Sequence, residues 1–259
     1  MAASRERTRA AAYRQREYYA KTAKAYDSAH VCPGDEHFIA LEYIVGLLRV
    51  VRARSVLDVG AGTGRGVRFL RGEGFDARGV EPVVELREMA EAAGTRLIAG
   101  SAERLPYADG SFDAVVATAL MHHVPNPKVA VAEMQRVARS AVMISDSNRF
   151  GQGTSRARLA KLVLHRAGVW PAFEMIRTRN RGYLWSEGDG IFYSYSIYDS
   201  LPQLAAWADR IFVIPTASAQ YRWSPVTASG HGLLVALREP RHNWAGVENE
   251  DGKFVSPGH

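Results

Sequence analysis

The chain reads as an α/β protein built around a mostly parallel sheet, and three observations predict that class. Short strand-like runs at 55–59, 78–81, 112–117 and 141–145, mostly apolar at all but 78–81, suit a buried sheet, and helical patterns alternate with them. Such alternation requires strand–helix–strand units with right-handed crossovers. The first run passes directly into alternate glycines, Asp58-Val59-Gly60-Ala61-Gly62-Thr63-Gly64. Glycine there permits a tight turn and a close approach of backbone to a ligand. The length, 259 residues, suits one such core with an insertion, and a hydrophobic fraction of 47% is enough to fill it.

In order, residues 4–26 read as helix, rich in Arg, Glu and Ala without proline or glycine. Cys32-Pro33-Gly34-Asp35 breaks it. A second helix follows over 36–51, with Phe38, Leu41, Ile44, Val45 and Leu48 on one face. Strand 55–59 leads to helix 65–71, stopped at Gly72 and Gly74. Strand 78–81, helix 83–93, strand 96–99 and strand 112–117 continue the pattern. Helix 127–138 carries Pro127 in its first turn, where proline is tolerated, and strand 141–145 closes the series. Residues 147–199 are aromatic and irregular apart from a helix at 155–167. A helix at 201–208 and strands at 211–215 and 232–237 end the ordered part. The expected division is an N-terminal helical lid at 1–52, a core at 53–238 with its insertion at about 147–199, and a loose tail at 239–259.

Ligands of open parallel sheets sit outside the carboxyl ends of the strands. Each notable motif lies at such an end. Glu81 closes the second strand, where a carboxylate is suited to gripping the two hydroxyls of a ribose. The sequence at 58–64 and Val80-Glu81-Pro82 resembles the class I S-adenosylmethionine-dependent methyltransferases. Two further blocks match: 100–113, and 114–120 continued by Met121-His122-His123-Val124. They are similar to the small-molecule branch typified by ubiquinone and menaquinone biosynthesis (methyltransferase type 11), over about residues 55–146.

The resemblance implies a Rossmann-like, seven-stranded, mostly parallel sheet with helices on both faces. In it the sixth and seventh strands are antiparallel, and the aromatic insertion lies between the fifth and sixth. It implies S-adenosyl-L-methionine as cofactor and S-adenosyl-L-homocysteine as product. Asp58, Gly60, Ala61, Gly62 and Gly64 are expected at the methionine and ribose portions, and Glu81 with Pro82 at the ribose. Ser101, Ala102 and Glu103 are expected at the adenine, and Thr118 at the methionine end. An aspartate is usual where Ser101 stands, so adenine recognition differs there. Tyr19, with Tyr18 and Tyr26, resembles the family's N-terminal lid, and an aromatic face near a sulfonium is attractive.

Methyl transfer from a sulfonium asks the protein mainly to align the acceptor and exclude water. His123, and after it His122, are the candidate bases, because histidine titrates near neutral pH. His30, His37 and Asp146 are outside candidates. No metal is expected: adjacent histidines rarely share an ion, and no carboxylate is spaced nearby in sequence. Phe150, Trp170, Phe173, Tyr193 and other aromatics of 147–199 suggest an apolar or aromatic small-molecule acceptor, and Glu187 and Asp189 could enter its pocket. The same residues suit a subunit interface, so a homodimer is left open.

One cysteine, Cys32, leaves no internal disulfide and no multi-cysteine metal site. No apolar run is long enough to span a membrane, and the first residues lack the apolar core of a signal peptide, so a cytoplasmic protein is expected. The net charge of +6 comes mostly from arginine, since only five of 33 basic residues are lysine. No RNA-binding signature interleaves those arginines, and nucleic acid is not expected as a partner. The reading is therefore methylation of an O, N or C atom of a small organic acceptor in specialised metabolism. The alternatives are RNA or protein methylation, a cofactor-driven cyclisation, and a non-catalytic cofactor-binding protein.

Overall fold

The computed structural model describes residues 10–11, 13–22, 34–218 and 224–239. Tyr26, His30, the first two residues (Cys32 and Pro33) of the segment expected to break the first helix, and the tail from 240 lie outside the described residues. Residues 13–22 are helical (α1). Helix α2 (Glu36–Val50) starts where Asp35 accepts hydrogen bonds from the backbone N–H groups of His37 and Phe38, which satisfies donors that a helix start leaves unpaired.

One sheet holds seven strands in the order β3 (Ile98–Ala99), β2 (Asp76–Glu81), β1 (Ser55–Val59), β4 (Phe112–Thr118), β5 (Ala138–Ser147), β9 (His231–Leu237) and β8 (Arg210–Pro215). A separate hairpin pairs β6 (Leu184–Ser186) with β7 (Gly190–Phe192). Strands β1 to β5 pair in parallel. Strand β9 inserts antiparallel to both β5 and β8. Only the last strand is therefore reversed. The expectation that the sixth strand also runs antiparallel to the rest is corrected: β8 pairs antiparallel with β9 and so returns to the direction of β5.

Both faces of the sheet are covered, so the central strands are apolar at nearly every position. Val56, Val116, Met143 and Val235 meet Ile44 and Leu48 of α2 and Val67 and Leu70 of α3 (Arg65–Gly72) on one face. Leu57, Val115, Ile144 and Leu234 meet Val131 and Met134 of α5 (Pro127–Val137) and Leu204 of α8 (Ile197–Ala205) on the other. Helix α4 (Val84–Ala92) lies beyond β2 and buries Leu86 and Ala90.

The stretch between β5 and β8 is more ordered than its sequence suggests. It contains α6 (Ser155–Arg166), α7 (Trp170–Arg177), the β6–β7 hairpin and α8. Helix α8 begins four residues before the predicted start. Ser196 and Asp199 form a reciprocal capping box there, which satisfies N–H groups that a helix start leaves unpaired.

Candidate active site

The site is built from strand ends. After β1 the chain turns through Gly60, at φ 71°, and Gly62, at φ 55°. A Cβ on Gly60 would sit 2.6 Å from Leu120 Cδ1. Both conformation and space therefore demand glycine there. Glu81, at the end of β2, is buried (5% exposed). One carboxylate oxygen accepts the Gly62 N–H at 3.0 Å and the other accepts the Val83 N–H at 2.9 Å. Burial pushes its pKa up to about 7, although the Val83 and Gly62 amides pull the other way. Asp58 is likewise raised to about 7 by burial, against the nearby Arg65.

Two cavities meet at this loop. The narrower one runs past Glu81, Pro82, Ser101, Ala102 and Glu103. The larger, about 880 Å³, extends past Asp58, Thr118 and His122 to the aromatic insertion. Tyr19, Gly60, Gly62, Ala119 and His123 line both and so form their common wall. Ala119 has φ 53°, a left-handed conformation that costs energy for alanine and is found most often at functional sites.

His122 and His123 lie in a short helical turn after β4, with ring centroids 4.0 Å apart. His122 Nδ1 donates to Asp146 Oδ1 at 2.7 Å, and His122 Nε2 is 3.4 Å from Asp189 Oδ2. Burial opposes its charge, but the Asp146 and Asp189 carboxylates overcome that and raise its pKa to about 10. Asp146, which also accepts the Met121 and Ser147 N–H groups, is held at about 2 despite its burial. His123 is pushed down, first by burial and then by the charge on His122. Its Nδ1 donates to the Ile191 carbonyl at 2.8 Å, which leaves Nε2 as the acceptor for the Tyr19 O–H at 2.8 Å. Asp189 Oδ1 stands 3.2 Å from the same Nε2.

Helix α1 holds this arrangement in place. Gln15 donates to the Asp189 carbonyl at 3.0 Å and accepts the Ile191 N–H at 2.5 Å, and Tyr18 O–H donates to the Glu187 carbonyl at 2.5 Å. Gly190, at φ 69°, lies so close that a Cβ would be 2.7 Å from Tyr18 Cδ1. Gln15 was not among the sequence candidates, although it is four residues from Tyr19 and hence on the same helical face.

The structure brings together almost every residue singled out in the sequence. Tyr19, Gly60, Gly62, Glu81, Pro82, Ser101, Ala102, Glu103 and His123 line the narrow cavity. Asp58, Ala61, Thr118 and His122 line the large one. Gly64 lines neither: it is the left-handed N-cap of α3, and a Cβ there would press on Thr95 and Ala90. Glu103 accepts the Asn126 amide at 2.6 Å, a structural bond at the rim. The expectation that no carboxylate accompanies the histidines fails in three dimensions, because the β6–β7 turn delivers Asp189 to both.

Residues 57–144 match the methyltransferase domain family. A methyltransferase of Mycobacterium sp. (strain JLS) is 30% identical over 174 residues, covering 66% of this chain and 68% of the relative. Another, from Mycobacterium tuberculosis (strain ATCC 25618 / H37Rv), is 40% identical over 89 residues, or 34% of this chain. That match spans 36% of the relative's own length. A crystal structure of a SAM-dependent methyltransferase from Thermotoga maritima superposes with a TM-score of 0.52 at 16% identity, over 87% of this chain and 100% of its own, which is a likeness of fold. The chain belongs to the class I S-adenosylmethionine-dependent methyltransferases. The residues present fit that cofactor: a glycine cradle that a Cβ would fill stands beside a buried carboxylate at the end of β2. No described helix is long and apolar enough to cross a membrane.

Proposed function

We propose that the protein methylates a small organic acceptor bound in the large cavity, with the nucleoside in the narrow one. The observation that carries this reading is the shared wall of Tyr19, Gly60, Gly62, Ala119 and His123, since a group passed between two ligands must cross it. S-adenosylmethionine supplies the activated methyl group when bound. Glu81 would accept the ribose hydroxyls, Ser101 and Ala102 would meet the adenine, and Asp58 and Thr118 would flank the methionine portion. His123, whose Nε2 faces the junction, would orient the acceptor or take its proton. Tyr19 would cover the junction and keep water out.

The far wall of the large cavity suggests the acceptor's character. Trp170, Phe173 and Tyr193 give aromatic surface, while Arg149, Lys161 and Arg177 give positive charge. Arg149 already pairs with Asp199. Among the described residues the Tyr193 O–H and Trp170 Nε1–H are buried without a hydrogen-bond partner, and such groups are costly unless a ligand satisfies them. An aromatic acceptor bearing a carboxylate or similar acceptor oxygens fits best, and a specialised metabolite suits that pocket. A screen of radiolabelled methyl transfer to aromatic acids, their neutral amides and bulk RNA tests the reading. Transfer to the acids supports it, and transfer to RNA alone overturns it.

A further inference from the structure

The His122–His123–Asp189 cluster does more than the reading above requires. Both imidazoles turn Nε2 toward one carboxylate. Each imidazole's other nitrogen is fixed by an acceptor behind it: Asp146 Oδ1 for His122 and the Ile191 carbonyl for His123, at 2.7 and 2.8 Å. Metal-ligating histidines are held in this way, because the rear hydrogen bond sets both tautomer and ring orientation. The distances at the front differ in kind. A charge-assisted N–H···O bond settles at about 2.7–2.9 Å, as the His122–Asp146 pair does. The two Nε2 atoms instead stand 3.4 and 3.2 Å from the Asp189 oxygens. Two ligand atoms on one tetrahedral Zn²⁺, with bonds of about 2.0–2.2 Å, are about 3.4 Å apart. One ligand atom from each of the three residues lies within 4.8 Å of the other two.

We infer that His122, His123 and Asp189 form a binding site for one divalent transition-metal ion, Zn²⁺ being the ion that best suits two imidazoles and a carboxylate. The cluster opens on the large cavity, which all three residues line. A fourth position is thereby left toward the acceptor, the arrangement of a catalytic rather than a structural zinc site. The Tyr19 O–H, now directed at His123 Nε2, turns aside when the ion takes that lone pair. The ion would hold an acceptor through an oxygen or nitrogen donor, and with the ion in place His123 would orient the acceptor through it rather than take a proton, since its Nε2 lone pair is then used. That role rests on the large cavity being the acceptor site, but ion binding itself does not.

Isothermal titration of tag-free, chelator-treated protein with Zn²⁺, repeated with Co²⁺ and followed by visible absorption, tests the site. One ion per chain is expected, with cobalt bands of a four-coordinate N/O site. Asp189→Asn, and separately the pair His122→Gln and His123→Gln, should weaken binding at least tenfold. Binding of S-adenosylhomocysteine by Asp189→Asn should stay within threefold of the parent, which shows that the variant is folded. Parent protein that takes no ion below millimolar concentration, or variants that titrate like the parent, would overturn the site. Failure of the parent to bind S-adenosylhomocysteine would sink the methyltransferase reading and leave the ion site standing.

Discussion

Replacing Glu81 by Gln separates a ligand-binding acid from a structural one. In the parent, two backbone N–H groups donate to the two carboxylate oxygens. Glutamine keeps one oxygen and turns an NH2 toward the other N–H, so one hydrogen bond to a charged group is lost, at a cost of about 1.5–3 kcal/mol. Against this, keeping the buried carboxylate charged is itself unfavourable. A pKa of about 7 in place of 4.5 amounts to about 3 kcal/mol at pH 8. The two effects nearly cancel, so the ligand-free variant should melt within a few degrees of the parent at pH 8. Cofactor affinity has no such compensation. The ribose hydroxyls lose a charged acceptor, and the same range of about 1.5–3 kcal/mol predicts a Kd for S-adenosylhomocysteine weaker by about 10- to 150-fold.

The pH dependence of that substitution follows from the raised pKa. A raised carboxylate favours the protonated folded state, so its contribution to stability is greatest below pH 4.5 and declines as pH rises toward 7. Ligand binding has the opposite sign, because it uses the charged form. Parent affinity should fall about tenfold between pH 8 and pH 6, and the variant should lose the share of that slope due to Glu81. Calorimetric titrations at pH 6, 7 and 8 measure both. A variant with parental affinity, or a parental slope unchanged by the substitution, would refute the reasoning.

Other expected outcomes concern the opposite wall and the clamp. His123→Gln should lower kcat by about 100-fold or more if the imidazole moves a proton, with S-adenosylhomocysteine affinity little changed; full turnover in single-turnover assays removes it from the chemistry. Tyr193→Phe should leave the melting temperature equal or higher, because its hydroxyl has no partner among the described residues, while raising KM for the acceptor; an unchanged KM places that hydroxyl outside the acceptor contacts. Gly190→Ala forces a left-handed alanine against Tyr18 and Gln15, and at about 1–2 kcal/mol it should speed amide exchange in residues 13–22 and in β7. Unaltered exchange would show that α1 is not fastened through that hairpin.

Much of this site was legible in the sequence because each key residue follows directly on a strand. Glu81 closes β2 directly after its buried Val80, and the glycines after β1 mark a turn that backbone geometry alone requires. His122 and His123 stood out as candidates too, but their partners did not. Asp146 ends β5 beside β4, a neighbour relation set by sheet order rather than by spacing. Asp189 arrives on a hairpin with three residues in each strand, too short for a periodic pattern to reveal, and held by Gln15 and Tyr18 from the other end of the chain. Helix α8 starts four residues before the helix expected at 201–208, where Ser196 and Asp199 form its cap. The direction of β8 is likewise a tertiary fact, fixed by β9 entering between it and β5.

A crystal structure with S-adenosylhomocysteine bears most directly on the two-cavity account. Its ribose hydroxyls should lie within hydrogen-bond reach of Glu81, its adenine beside Ala102, and its sulfur at the wall formed by Tyr19, Gly60 and His123, facing the large cavity. A nucleoside bound in the large cavity, or a sulfur pointing away from that wall, would contradict it.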